Sequence, residues 1–306
     1  MADPERTLPG PARAQPPAPP PRPKPSFGWL ALAVIAVVGV VIYVRSSRDD
    51  HADDEPHEIL GGAGGGEGAA PERLTARVVR SFPHAEDAFT QGLLWHDGHL
   101  YESTGLHGHS SLREVDLETG EVLRRRDLER AIFAEGLALV GDRLIQITWQ
   151  EERALTYRLS DFEPIREFAY EGEGWGLCFD GTHLVMSDGS DRLVFRDPDT
   201  FAIERTIRVR DRGRPVDQLN ELECVDGVIW ANIWQVDRIV RIDPASGRVT
   251  GTVDVRGLLT EDEQLDADVL NGIAWIPERG HFVITGKLWP RLFEVDFVPR
   301  TRRGQD

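Results

Sequence analysis

Five segments of this chain follow one plan, and their spacing limits the fold more than any other feature of the sequence. They are FTQGLLWHDGHLYESTG, FAEGLALVGDRLIQITWQ, EGWGLCFDGTHLVMSDGS, LNELECVDGVIWANIWQ and LNGIAWIPERGHFVITGK. Each has a short lead-in, an apolar strand, a tight turn near Asp-Gly and a second strand. Alternating apolar runs broken by Gly and Asp are strand chemistry, not helix chemistry. Gly92, Gly136, Gly176, Leu222 and Gly272 take equivalent places, 40 to 50 residues apart. That period belongs to propeller blades.

The stretches between the repeats supply the remaining strands. SLREVDLETGEVLRRRDL and RIVRIDPASGRVTGTVDV read as hairpins, the third and fourth strands of a blade. The last repeat ends with one such strand, RLFEVDF, and lacks its partner. Arg73–Phe82, RLTARVVRSF, can fill that place and remove an exposed sheet edge. The expectation is an all-β domain over residues 72–298, a five-bladed β-propeller, followed by a basic and polar tail at 299–306.

The 306-residue chain begins very differently. Residues 1–26 are rich in Pro, with Ala, Arg and Lys, and are expected to be disordered. Residues 27–44, FGWLALAVIAVVGVVIYV, carry no charge. As a helix they span about 27 Å, close to a bilayer's hydrocarbon core. Trp29 and Tyr43 lie near its ends, where amphipathic aromatics favour the interface. The run is longer than a usual signal-peptide core, and no small-x-small cleavage site follows it before Arg45. An uncleaved single-pass transmembrane helix is therefore expected. Arg6, Arg13, Arg22 and Lys24 precede it, which places the N-terminus in the cytoplasm and the main domain in the periplasm or outside. Residues 45–71, an acidic run and then GGAGGGEG, read as a flexible tether. No Lys-Ser/Thr follows the glycines, so they are not a phosphate loop.

Composition excludes several functions. A net charge of −17 argues against nucleic acid as a partner. Cys178 and Cys224 are the two cysteines, and no Cys/His spacing suggests a zinc site. Both lie in apolar stretches, so free buried thiols are expected, with a disulfide as the alternative in an oxidising compartment. His107 and His109 lie in a Gly-rich loop without a suitably spaced carboxylate and are expected to be solvent-exposed. No Gly-x-Ser-x-Gly elbow occurs. Neither a metal nor a cofactor is expected.

Propeller geometry gathers one set of residues at a single mouth. The residues leading into each first strand meet there, and each antiparallel second strand returns to the same end. The leading residues are Phe89 and Gln91, Phe133 and Glu135, Trp175, Asn220 and Glu221, and Asn271. The returning residues are Trp149, Trp234 and Lys287. Aromatic rings with a few polar groups are the usual form of a small-ligand pocket.

These motifs also resemble a known family. Phe89-Thr-Gln-Gly-Leu, Tyr101-Glu-Ser-Thr-Gly, Phe133-Ala-Glu-Gly-Leu, Ile147-Thr-Trp-Gln, Glu173-Gly-Trp-Gly-Leu, Leu219-Asn-Glu-Leu-Glu, Ala231-Asn-Ile-Trp and Thr285-Gly-Lys are similar to those of the plant and bacterial, papaya-type glutaminyl-peptide cyclotransferases. The likeness runs over roughly residues 75–297. It implies a five-bladed propeller that converts N-terminal glutamine of peptides or proteins to pyroglutamate with release of ammonia. It implies Glu135 as the acid/base residue, and Phe89, Gln91, Phe133, Trp149, Trp175, Asn220, Trp234 and Lys287 as pocket residues. The loop after Tyr101-Glu-Ser-Thr-Gly, the anchor and the tether depart from the family pattern. A monomer is expected. A non-catalytic extracytoplasmic scaffold is the alternative, and a propeller metal hydrolase a weaker one.

Overall fold

Turn chemistry sets the hairpins. Asp97-Gly98 and Asp226-Gly227 each take positive φ at both residues (48° and 86°, 49° and 75°), as a two-residue hairpin turn between twisted strands requires. The computed structural model describes residues 69–300. The expected Pro-rich tail (1–26), transmembrane span (27–44), most of the tether (45–71) and most of the C-terminal tail (299–306) lie outside the described residues. Among the described residues no helix is long and apolar enough to cross a membrane.

Among the described residues the first strand is β1 (Glu72–Pro83). The first propeller-like blade is β2 (Thr90–His96), β3 (His99–Thr104), β4 (Ser111–Val115) and β5 (Val122–Asp127). The second is β6 (Ala134–Val140), β7 (Arg143–Thr148), β8 (Arg153–Arg158) and β9 (Pro164–Ala169). The third is β10 (Leu177–Phe179), β11 (Leu184–Ser187), β12 (Arg192–Arg196) and β13 (Ile203–Arg208). A small hairpin, β14 (Arg210–Asp211) and β15 (Arg214–Pro215), leads to the fourth: β16 (Leu219–Val225), β17 (Val228–Ile233), β18 (Arg238–Ile242) and β19 (Val249–Asp254). A 3-10 turn at Glu263–Leu265 precedes the fifth, β20 (Leu270–Ile276), β21 (His281–Gly286) and β22 (Arg291–Pro299).

Strand β1 completes the fifth blade. It pairs antiparallel with β22 from Leu74↔Pro299 to Pro83↔Arg291, as the sequence suggests. One feature was not legible there. Glu72–Thr75 also run parallel to Gly251–Asp254 of β19, so the fourth and fifth blades share one eight-stranded sheet.

The inner strands touch in a closed cycle, β2 to β6 to β10 to β16 to β20 and back to β2. An apolar cluster fills each of the five gaps between neighbouring blades. Leu93, Leu137, Leu177, Leu222 and Ile273 are all buried at equivalent points of the inner strands. Burying one such side chain contributes about 1.5–3 kcal/mol.

The hub corrects one equivalence. Register pairs Leu222 with Ala231 as it pairs Leu137 with Gln146, so Leu222 belongs with the leucines and Glu221 takes the glycine place. The glycines there permit close approach of neighbouring blades. A Cβ on Gly92 would stand 2.5 Å from the Leu137 nitrogen, and one on Gly176 would overlap the Asn220 carbonyl. Glu221 instead projects a carboxyl across the hub. Its oxygens accept from the backbone N–H of Leu93 (3.3 Å) and Ile273 (2.8 Å).

The cysteine expectation is also corrected. Cys178 and Cys224 form a disulfide, with Cα atoms 5.6 Å apart. They lie on β10 and β16, the touching inner strands of the third and fourth blades, which brings 46 residues of separation down to bonding distance.

Candidate active site

The expected convergence at one end of the hub is seen in four repeated hydrogen bonds. The N–H of Gly105, Trp149, Trp234 and Lys287 donates to the carbonyl of Phe89, Phe133, Gln218 and Val269, at 2.8 to 2.9 Å. Each bond joins the start of an inner strand to the end of its neighbour. In the third blade Trp175 N–H donates to the Ser187 carbonyl instead, at 3.0 Å.

A β-bulge follows at the same place in four blades, between Thr90 and Gly92, Ala134 and Leu137, Leu219 and Leu222, and Leu270 and Ile273. Gln91, Glu135, Asn220 and Asn271 all sit inside these irregularities. Bulges re-aim side chains and recur beside active sites. The sequence shows the residues but not the bulges, because alternation survives on either side of them.

Glu135 is buried, 5% exposed. Gln91 Nε2 donates to its Oε1 at 3.0 Å. Asn271 Nδ2 donates to Gln91 Oε1 (3.1 Å) and to the Thr90 carbonyl (3.0 Å). Asn271 thereby orients the Gln91 amide so that its NH₂ faces Glu135. Burial holds the Glu135 carboxyl well above the ordinary carboxylate range. Lys287 opposes that shift, and Glu173 and Glu151 add to it. Lys287 is buried as well, and burial lowers its ammonium against the pull of Glu135 and Asp268. Its Nζ stands 4.8 Å from the centre of the Phe89 ring.

Aromatic rings pack against one another here in two groups. Phe89 meets Phe133 edge-on at 6.1 Å, and Phe133 meets Trp149 at 5.5 Å. Trp175 and Trp234 pack edge to face at 5.5 Å. Phe89, Phe133 and Trp175 are buried, while Trp149 and Trp234 are half-buried at the rim. Asn220 is buried, and its Oδ1 accepts no hydrogen bond from a described residue. Non-glycine residues with positive φ mark the rim, among them Gln235 (67°) beside Trp234 and Leu288 (60°) beside Lys287. Such backbone carries a cost that clusters at functional sites.

Several participants escaped the sequence reading. Glu173 accepts from the indole N–H of both Trp149 (3.0 Å) and Trp175 (3.1 Å). His84 is buried. Its Nδ1 meets the Trp289 carbonyl at 2.8 Å and its Nε2 meets Glu102 Oε1 at 2.9 Å. The ring thereby ties the Lys287 turn to the first blade. Burial alone would raise the Glu102 carboxyl, but His84, Arg113 and Thr90 outweigh it and hold the group low. His107 is exposed, as expected. It nevertheless pairs with Glu151 (3.2 Å) and packs edge-on against Phe133 (5.5 Å). No cluster of three or more His, Cys, Asp or Glu able to hold a metal occurs among the described residues.

Known proteins are similar to this chain. The family model described as glutamine cyclotransferase matches residues 55–297. A curated glutaminyl-peptide cyclotransferase from Arabidopsis thaliana is 44% identical over 224 residues, 71% of this chain and 70% of the relative. The crystal structure of Myxococcus xanthus glutaminyl cyclase superposes with a TM-score of 0.69 at 45% identity, covering 76% of this chain and all of that one.

Proposed function

The chain belongs to the glutamine cyclotransferase family, and from that premise we propose that Glu135 is its acid/base residue in the closure of N-terminal glutamine to pyroglutamate. The protein is an enzyme, a glutaminyl-peptide cyclotransferase acting on N-terminal glutamine. The observation that carries our reading is the setting of Glu135: one buried carboxyl, hydrogen-bonded by Gln91 and flanked by Lys287 and aromatic walls.

The reaction forms a bond between the α-nitrogen and the γ-carboxamide carbon and breaks the bond from that carbon to the amide nitrogen. A terminal α-amine has a pKa of about 7.7–8.0, so its neutral, nucleophilic form is accessible near neutral pH. Ring closure is intramolecular, and a pocket that holds the near-attack conformer removes much of the barrier. Phe89, Phe133, Trp149, Trp175 and Trp234 are the surfaces that would grip the glutamine side chain. Glu135 takes the proton released by the attacking amine and passes it to the departing ammonia. A carboxyl held high by burial suits both halves of that transfer. Gln91, Asn220 and Lys287 are the groups that would hold the carboxamide and steady the developing oxyanion. The free Oδ1 of Asn220 suits it to accept from a substrate N–H.

We read the five propeller-like four-stranded units as a five-bladed β-propeller over 72–298, tethered by 45–71 to a membrane span at 27–44, with a cytoplasmic N-terminus and an extracytoplasmic catalytic domain. The Cys178–Cys224 bridge supports an oxidising compartment. Action as a monomer belongs to the same reading. The full chain, given a Gln-initiated dipeptide, is expected to release ammonia and form the pyroglutamyl product, with EDTA present. Absence of ammonia release would falsify the reading.

A further inference from the structure

Glu173 breaks the pattern of the mouth. It stands two residues ahead of Trp175, as Phe89 stands two ahead of Gln91 and Phe133 two ahead of Glu135. Where the first two blades place a ring, the third places a carboxylate. Its Oε2 accepts from Trp149 Nε1 (3.0 Å) and Trp175 Nε1 (3.1 Å), and its Oε1 accepts from Gln150 Nε2 (3.1 Å). Trp149 follows β7 of the second blade, and Trp175 precedes β10 of the third.

An indole has one donor and no acceptor, so a ring bonded through that donor cannot swing away without leaving it unpaired. Bonds to an ionised carboxylate are stronger than neutral ones. The two rings are also braced from behind, Trp149 by Phe133 and Trp175 by Trp234, each at 5.5 Å. Glu173 thus joins two aromatic pairs from different blades.

We propose that Glu173 is a positioning residue that locks the Phe133–Trp149 and Trp175–Trp234 pairs into one wall and so sets how tightly the mouth grips glutamine. The inference rests on the reading of this mouth as the substrate pocket. Glu173 has a second consequence for Glu135. The charged groups acting on that carboxyl are Lys287, which favours its ionised form, and Glu173 and Glu151, which disfavour it. Removing the charge of Glu173 therefore eases ionisation of Glu135.

Two substitutions in the full chain separate these effects. In Glu173→Ala both indoles lose their acceptor; KM for a Gln-initiated dipeptide is expected to rise about tenfold or more, with a smaller change in kcat. Its near-ultraviolet circular dichroism should weaken as the rings loosen. In Glu173→Gln the amide carbonyl can still accept from the indoles, so the spectrum should return and KM should recover to within about threefold of wild type. The acid limb of kcat/KM should nevertheless move to lower pH, because the like charge is gone. The proposal is overturned if Glu173→Ala leaves KM within about twofold and the spectrum unchanged, or if Glu173→Gln is as impaired as Glu173→Ala. Should the alanine variant fail to fold, Glu173→Leu, which keeps bulk but offers no acceptor, replaces it: a raised KM with a weakened spectrum supports the proposal, and values matching those of Glu173→Gln overturn it. A wild-type chain that releases no ammonia would defeat the pocket reading, while the spectra would still show whether Glu173 holds the indoles.

Discussion

Glu135 and Glu221 are both buried carboxyls on inner strands, and burial is the leading cause that holds each well above its ordinary range. Their partners differ. Glu221 lies at the hub, and each of its oxygens accepts a backbone N–H from another blade, Leu93 of the first and Ile273 of the fifth. Those bonds make it a rivet. Glu135 lies at the mouth and accepts from one side chain, Gln91, with rings and a lysine around it. Burial perturbs both groups alike. Partners decide which one can trade its proton with a substrate.

The largest effect that would sharpen this contrast is on stability. Glu221→Ala leaves the Leu93 and Ile273 amides without an acceptor and opens a gap at the hub. At about 1–3 kcal/mol per orphaned group, the expected loss is about 4 kcal/mol in denaturant unfolding. Turnover per folded molecule should stay within about threefold. A stable variant with collapsed turnover would reverse the two roles.

The disulfide comes next. It closes a loop of 46 residues between neighbouring blades, for which the chain-entropy account gives about 4 kcal/mol. Cys178→Ser should lower the unfolding midpoint accordingly without altering KM. A midpoint indifferent to reductant would show that the apolar packing between those blades suffices.

Gln91→Leu removes the hydrogen bond to Glu135 while keeping bulk. A loss of about tenfold in kcat/KM is expected, equivalent to about 1.4 kcal/mol. No loss would mean that Glu135 is aimed by its walls alone.

A pH-dependent effect concerns Glu223, a half-buried neighbour of the hub raised from its ordinary 4.5 to about 8, chiefly by burial. Below pH 4.5 folded and unfolded chains both hold this proton. Between 4.5 and about 8 the unfolded chain releases it first, so stability falls as pH rises through that window. Glu223→Gln should flatten the fall, and an unchanged slope would assign it to other groups.

Much of the architecture was legible because turn and strand chemistry repeat. Asp-Gly turns, the repeat spacing and the spare strand at Arg73–Phe82 all follow from local pattern. The site residues were legible as a set because antiparallel strands return to the end they left. What stayed hidden depends on register and on neighbours distant in sequence. The bulges that aim Gln91, Glu135, Asn220 and Asn271 leave alternation intact around them. The motif Leu219-Asn-Glu-Leu-Glu invites alignment one residue off, so the hub role of Glu221 was missed. Nothing near Cys178 or Cys224 states that β10 and β16 lie side by side. Glu173 gains its meaning only when two indoles from different blades converge on it.

Turnover of Glu135→Gln on a Gln-initiated dipeptide tests the central claim most directly. Loss of the proton carrier should lower kcat by about 10²–10⁴-fold, with the unfolding midpoint unchanged and KM altered by no more than about threefold. A variant that keeps near wild-type kcat would contradict the account.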